Sequence, residues 1–195
     1  MTHALSPSSP MRRLGLLILM ALAALALVLG GCKDKAGVKA DADHAGLYAL
    51  IAEADAAIAA DDMEKLFRIS TPDPMMDAML EAGGATTAEQ KAAMREQMEA
   101  LILPMFESID ITAHDVDTDN INFVTTASGA EIAYVPMSMT MNMGGMEIGT
   151  TGQYIGIQRE GEWFLLTPSD AQSIAMMKAA FPELEGQDIQ PNTMG

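Results

Sequence analysis

Thiols are almost absent from this chain, and imidazoles and cations are scarce. A single cysteine in 195 residues excludes an internal disulfide and any cysteine-based metal site. Of three histidines, only His44 and His114 lie beyond the N-terminal apolar run. A zinc site or a histidine-based triad is therefore not expected. An HxxxH pair, a glycine-rich phosphate loop and a GxSxG elbow are all missing. Basic residues number 11 against 27 acidic ones, for a formal net charge of −16. Nucleic acids need a basic footprint, and so does lying flat on anionic lipid. Neither is an expected partner, and acidity of this size reads as a solubility device.

What the chain does carry begins at its N-terminus. Arg12 and Arg13 precede LGLLILMALAALALVL, an uncharged run from Leu14 to Leu29 that ends on Gly30, Gly31 and Cys32. A short basic region, an apolar core and small residues before a cut make residues 1–31 a secretory signal peptide. The run is shorter than the about 20 residues of a transmembrane helix. LGGC, from Leu29 to Cys32, resembles the lipobox of bacterial lipoproteins. The resemblance implies cleavage before Cys32 and a covalent diacylglycerol and N-acyl lipid on that residue, with no other cofactor expected. It also implies a periplasm-facing protein of the bacterial cell envelope, whose membrane partner is reached through the lipid. Lys33 stands where an Asp would favour inner-membrane retention, so the outer membrane is expected. Loss of residues 1–31 removes Arg12 and Arg13 and no acidic residue, leaving the remainder more acidic still. Residues 32–44, Cys32 followed by KDKAGVKADAD and His44, read as a flexible tether.

Helical spacing then appears. Leu47, Leu50, Ile51, Ala54, Ala57 and Ile58 share a stripe. Asp61, with Glu64 three residues on, predicts a capped second helix. TPDP at 71–74 interrupts it before MMDAML. Thr86 or Thr87 caps a further helix with inner face Met94, Met98, Leu101 and Met105, ended or kinked by Pro104. Beyond residue 106 the period changes from 3.6 to 2. Strands are expected in FESIDITAHDV, in NINFVTT, from Glu131 to Met143, from about Glu147 to Arg159, and in EWFLL. Thr167-Pro168 is expected to open a last helix, and the tail 182–195 to be disordered. Segregated helices and hairpins predict an α+β fold: N-terminal helices on a curved antiparallel meander of about five strands, plus a C-terminal helix, in one domain over 45–181.

LIAEADAAIAADDMEKLFRIST and QYIGIQREGEWFLLTP together resemble the nuclear transport factor 2-like superfamily, the cystatin-like cone that also houses ketosteroid isomerases. The first resembles its opening helix, acidic turn and second helix, and the second its final hairpin. The resemblance spans about residues 45–167 and implies helices packed across a curved sheet around a partly apolar cavity. In enzymatic members an acid and a tyrosine project into that cavity, and Tyr134, Tyr154, Asp110, Asp115 and His114 are the residues here that could do so. No catalytic role is carried over. Alternation groups His114 with Asp110 and Thr112, opposite Ile109 and Ile111, on what is expected to be a solvated face.

PMSMTMNMGGM, residues 136–146, is the densest local feature. Met137, Met139, Met141 and Met143 share one strand face with Val135 and Ala133, while Ser138, Thr140 and Asn142 take the other. Thioethers select Cu(I), and Met139, Met141, Met143 and Met146 are the candidate ligands for a periplasmic copper site. Methionine also occupies the expected inner faces of the helices, at Met63, Met76, Met79, Met94, Met98, Met105 and Met177, so the stretch reads first as a core or cavity wall. The expected function is non-catalytic: binding a small apolar ligand or an envelope protein partner through Met137, Met139, Met141, Met143, Tyr134 and Tyr154. A Cu(I)-binding lipoprotein and an isomerase- or dehydratase-type enzyme are the alternatives.

Overall fold

The computed structural model describes residues 44–195. The expected signal peptide, Cys32 and the expected tether up to residue 43 lie outside the described residues. No helix among the described residues is long and apolar enough to cross a membrane.

Four helices come first: α1 (Ala45–Ala59), α2 (Met63–Ser70), α3 (Asp73–Ala82) and α4 (Ala88–Phe106). α1 buries Leu47, Ile51, Ala54 and Ala57, one face of a 3.6-residue period. Asp62, not Asp61, caps α2 by accepting the Lys65 amide at 3.0 Å. Asp61 instead takes the left-handed turn position, φ 55°, which a short polar side chain tolerates. Thr87 and Gln90 form the capping box of α4. The inner face of α4 departs from the expected stripe: Met94, Met98, Ile102, Leu103 and Phe106 pack inward, whereas Leu101 and Met105 are 73% and 68% exposed. Steps of four keep 94, 98, 102 and 106 on one row, and that row wins. Pro104 lies inside the helix, which ends two residues later.

The sheet is antiparallel and curled, and with the flanking helices it makes the fold α+β. Its strands are β1 (Ile109–Val116), β2 (Asn122–Thr125), β3 (Glu131–Met143), β4 (Met146–Arg159) and β5 (Glu162–Leu166). β1 and β2 share one edge of β3: β1 pairs with Met137–Met143, β2 with Glu131–Tyr134. The five strands therefore span four ladder positions. Gly144 and Gly145, at φ 61° and 85°, make the two-residue turn between β3 and β4 that only positive φ allows. Asn142 Oδ1 accepts the Gly145 amide at 3.0 Å.

At its Ile132–Ile157 end the β3–β4 ladder is buried on both faces. On one side Ala133, Val135, Met137, Tyr154, Trp163 and Leu165 meet Leu47 and Ile51 of α1. On the other, Ile132, Ile155, Ile157 and Leu166 meet Met75 of α3 and Met177, Ala180 and Phe181 around the C-terminal helix α5 (Ala171–Ala180). α5 starts later than expected. Its cap is Asp170, which accepts the Ser173 amide at 2.7 Å, and Thr167-Pro168 remains a loop.

The tail is packed rather than disordered. Leu184 is fully buried and Ile189 nearly so, in the core face covered by α5. The short strand β6 (Thr193–Met194) takes the β4 edge beyond β5. Between them Asn192 Oδ1 accepts the Gln153 amide at 2.9 Å and the Asn192 backbone N–H donates to Pro168 O at 2.7 Å. Polar composition hid this, because the few apolar anchors are spread among exposed residues. Arg159 adds a two-pronged bond to Glu183, Nη2 to Oε2 at 2.6 Å and Nε to Oε1 at 2.9 Å, with its guanidinium over the Phe181 ring.

A Cβ on Gly156 would stand 2.9 Å from Leu47 Cδ1 and 3.1 Å from Ala133 Cβ, so Gly156→Val should lower stability by about 1–3 kcal/mol, read as a reduced urea midpoint at unchanged slope. The Arg159 bond holds the Glu183 carboxyl below the usual carboxylate range. Its stabilisation is complete above the unfolded pKa of about 4.3 and is lost as pH falls through the lower folded value. Glu183→Gln should therefore be less stable than wild type at pH 7, with the gap closing below about pH 4 in a melting series.

Candidate functional site

Where the helices diverge from the sheet they leave a cavity of about 320 Å³. Its walls are Ala54 of α1, Ile69 of α2, Phe106 of α4, Ile109 of β1, Met139 and Met141 of β3, and Tyr154 of β4. Hydroxyls of Ser70, Thr71, Thr167, Ser169 and Ser173 border it. The volume is at the small end of ligand pockets, and the mix of many apolar walls with few polar groups is typical of them.

The cavity divides the methionines of 136–146. Met137 is buried in the core against α1. Met139 and Met141 face the cavity. Met143 and Met146 sit opposite each other at the hairpin end, 40% and 66% exposed. The four candidate copper ligands thus split between the cavity and the exposed hairpin tip.

Tyr134 is not part of this surface. It projects from the other face of β3, packs on the core beneath α5, and donates its hydroxyl to Gln187 Oε1 at 3.2 Å. Successive strand residues alternate faces, so a ligand surface on the odd-numbered side cannot include residue 134. Asp110 and Asp115 are exposed on β1.

His114 is the largest departure from the expected placement. Its side chain is only 4% exposed, on the same side as Ile109 and Ile111. The register of β1 against β3 slips between Ile111 and Ala113: Thr112 and Ala113 are both exposed, and the inward pattern resumes at His114 and Val116. One extra residue in a strand makes a bulge and exchanges the two faces beyond it. His114 lands opposite Met139 and Tyr154 opposite Val135, so the two side chains meet across β3.

Their contact is a relay of three residues. His114 Nε2 is 2.8 Å from Tyr154 Oη, and His114 Nδ1 is 2.8 Å from Asp55 Oδ1. Asp55, on α1, is half exposed and follows Ala54, a wall of the cavity. Tyr154 is 8% exposed. Burial, and secondarily the Asp55 carboxylate, push its hydroxyl pKa well above the ordinary tyrosine value, so it stays a neutral hydroxyl. Asp55 carries no motif in the sequence. Only its place on the α1 face that meets β1 brings it to His114.

A larger groove of about 690 Å³ runs beside α2 and β5. Its cations are already matched: Lys65 with Glu53 at 3.0 Å, Arg68 with Glu64 at 2.9 Å and Arg95 with Asp73 at 2.8 Å. It offers no uncommitted cation to a ligand. Among the described residues no cluster of His, Cys, Asp and Glu could hold a metal ion.

No protein family matches this chain, and no curated protein or solved structure is significantly similar to it.

The position of Tyr154 has an alkaline signature. Its folded pKa exceeds the unfolded value of about 10, so the stabilisation is present below that pH and is lost as pH rises above it. Denaturation midpoints of wild type should fall beyond about pH 10 more steeply than those of Tyr154→Phe.

Proposed function

We propose that this protein binds a small apolar ligand in the cavity walled by Met139, Met141 and Tyr154, without chemistry of its own. The observation that carries this reading is the cavity itself, since the same strand face that is tightly packed at Val135 and Met137 opens at Met139. Methionine suits such a wall, because an unbranched thioether adapts its shape to what it contacts. A rim of exposed apolar residues supports an entry route. Met105 adjoins the cavity residue Phe106, Met143 lies opposite the cavity residue Ile109, and Met146 lies opposite Met143. Taken with the lipobox resemblance, the reading is of a lipid-anchored, periplasm-facing carrier or receptor of the cell envelope.

A second reading draws on the Asp55–His114–Tyr154 relay: acid–base catalysis of the isomerase or dehydratase type. A histidine oriented by a carboxylate and bonded to a hydroxyl is the arrangement by which such groups move protons. Exchange of carbon-bound protons of 2-decalone with deuterated solvent, dependent on His114, would favour it.

The cavity reading is tested on the full-length chain purified from its own host. Native mass spectrometry should show an apolar small molecule bound one to one. Ala54→Met should abolish that binding while leaving stability equal or raised by about 0.5–2 kcal/mol, as filling a cavity does. Binding unchanged in Ala54→Met, or a tightly held copper ion lost when Met139 and Met141 become leucine, would overturn it.

A further inference from the structure

Hydrogen-bond polarity along the relay is fixed from its outer end. A carboxylate only accepts, so the 2.8 Å contact between Asp55 Oδ1 and His114 Nδ1 places the proton on Nδ1. In a neutral imidazole the other nitrogen is then a bare acceptor. Nε2, 2.8 Å from Tyr154 Oη, therefore receives the tyrosine proton. A neutral tyrosine has one proton and two lone pairs. With the proton committed to His114, only lone pairs remain for anything in the cavity. Tyr154 lines the cavity, as do Ala54, next to Asp55, and Met139, opposite His114.

We infer that Tyr154 meets its ligand as an acceptor only, so that the ligand is an apolar molecule carrying a hydroxyl or an N–H, and that Asp55 and His114 are the positioning residues that set this preference. The inference rests on the cavity reading and deepens it. On the border, the hydroxyls of Ser70, Ser169 and Ser173 already donate to the Phe67, Thr167 and Asp170 carbonyls, whereas those of Thr71 and Thr167 can rotate to donate or accept and do not discriminate. Tyr154 does, because a ligand oxygen lacking a proton would face a second acceptor with no hydrogen between them. A buried acceptor left unpaired costs about 1–3 kcal/mol, roughly fivefold to over a hundredfold in affinity.

The test uses 2-naphthol and 2-methoxynaphthalene, which share an aromatic body and differ in the proton. Binding to the full-length chain is followed through the methyl resonances of Met139 and Met141, and the ring nitrogens of His114 are read by long-range ¹H–¹⁵N correlation at pH 8. Expected are a protonated Nδ1 with a bare Nε2, and 2-naphthol preferred by about fivefold or more. Tyr154→Phe should remove the preference. Asp55→Asn should narrow or reverse it, because an asparagine amide can donate to Nδ1 and so flip the tautomer. A protonated Nε2, equal affinity for the two probes in wild type, or a preference untouched by Asp55→Asn would overturn the inference and leave the cavity reading standing. Failure of both probes to shift Met139 and Met141 would overturn both.

Discussion

The long ladder between β3 and β4 governs the rest of the domain, because its two faces meet different neighbours along its length. Near Ile132 and Ile157 the strands have helices on both sides, and Ile132, Ala133, Ile155 and Ile157 are fully buried. Toward the Gly144-Gly145 turn the helices no longer follow the sheet. α1 is packed closest where Gly156 lets Leu47 approach the backbone, and it contributes only Ala54 and Asp55 further on. Exposure along the odd-numbered face of β3 rises from 0% at Val135 to 5% at Met137 and 40% at Met143. The cavity lies in the middle of that gradient. It is the place where the sheet is still covered but no longer filled.

Much of the architecture was legible because periodicity is a direct record of burial. The change of period after residue 106 and the strand bounds near Glu131, Met143 and Arg159 all correspond to observed elements. Even the two-sided burial at the start of β3 leaves a trace, since IAYV is a continuous apolar run whereas MSMTMNM alternates, as expected of strands covered on two faces and on one. The C-terminal tail was not legible. Its anchoring depends on Leu184, Ile189 and one asparagine meeting an edge of β4 that only exists once β5 has ended, which is tertiary information.

The site was half legible, for a reason that sits in one residue. Met139, Met141 and Tyr154 follow from counting along strands. His114 does not, because Thr112 shifts the count by one and nothing in ITAHDV announces a bulge. Uniform alternation placed an acid-rich face toward solvent and put the histidine on it. The actual register instead exposes Thr112 and Ala113 together and buries an imidazole between a carboxylate and a phenol. Burying such a group is costly unless its nitrogens are bonded, and here both are. Asp55 stays half exposed, so the charge at the end of the relay remains hydrated.

The methionines at the hairpin end and along α4 carry a chemical liability that those inside do not. Thioether oxidation follows exposure, and the product, a sulfoxide, is polar. Met105, Met146 and Met194 are each more than 60% exposed, while Met137 and Met177 are buried in the two cores. Oxidants reaching this protein meet the outer sulfurs first, so damage turns the surface around the cavity hydrophilic before it touches the packing that holds the fold.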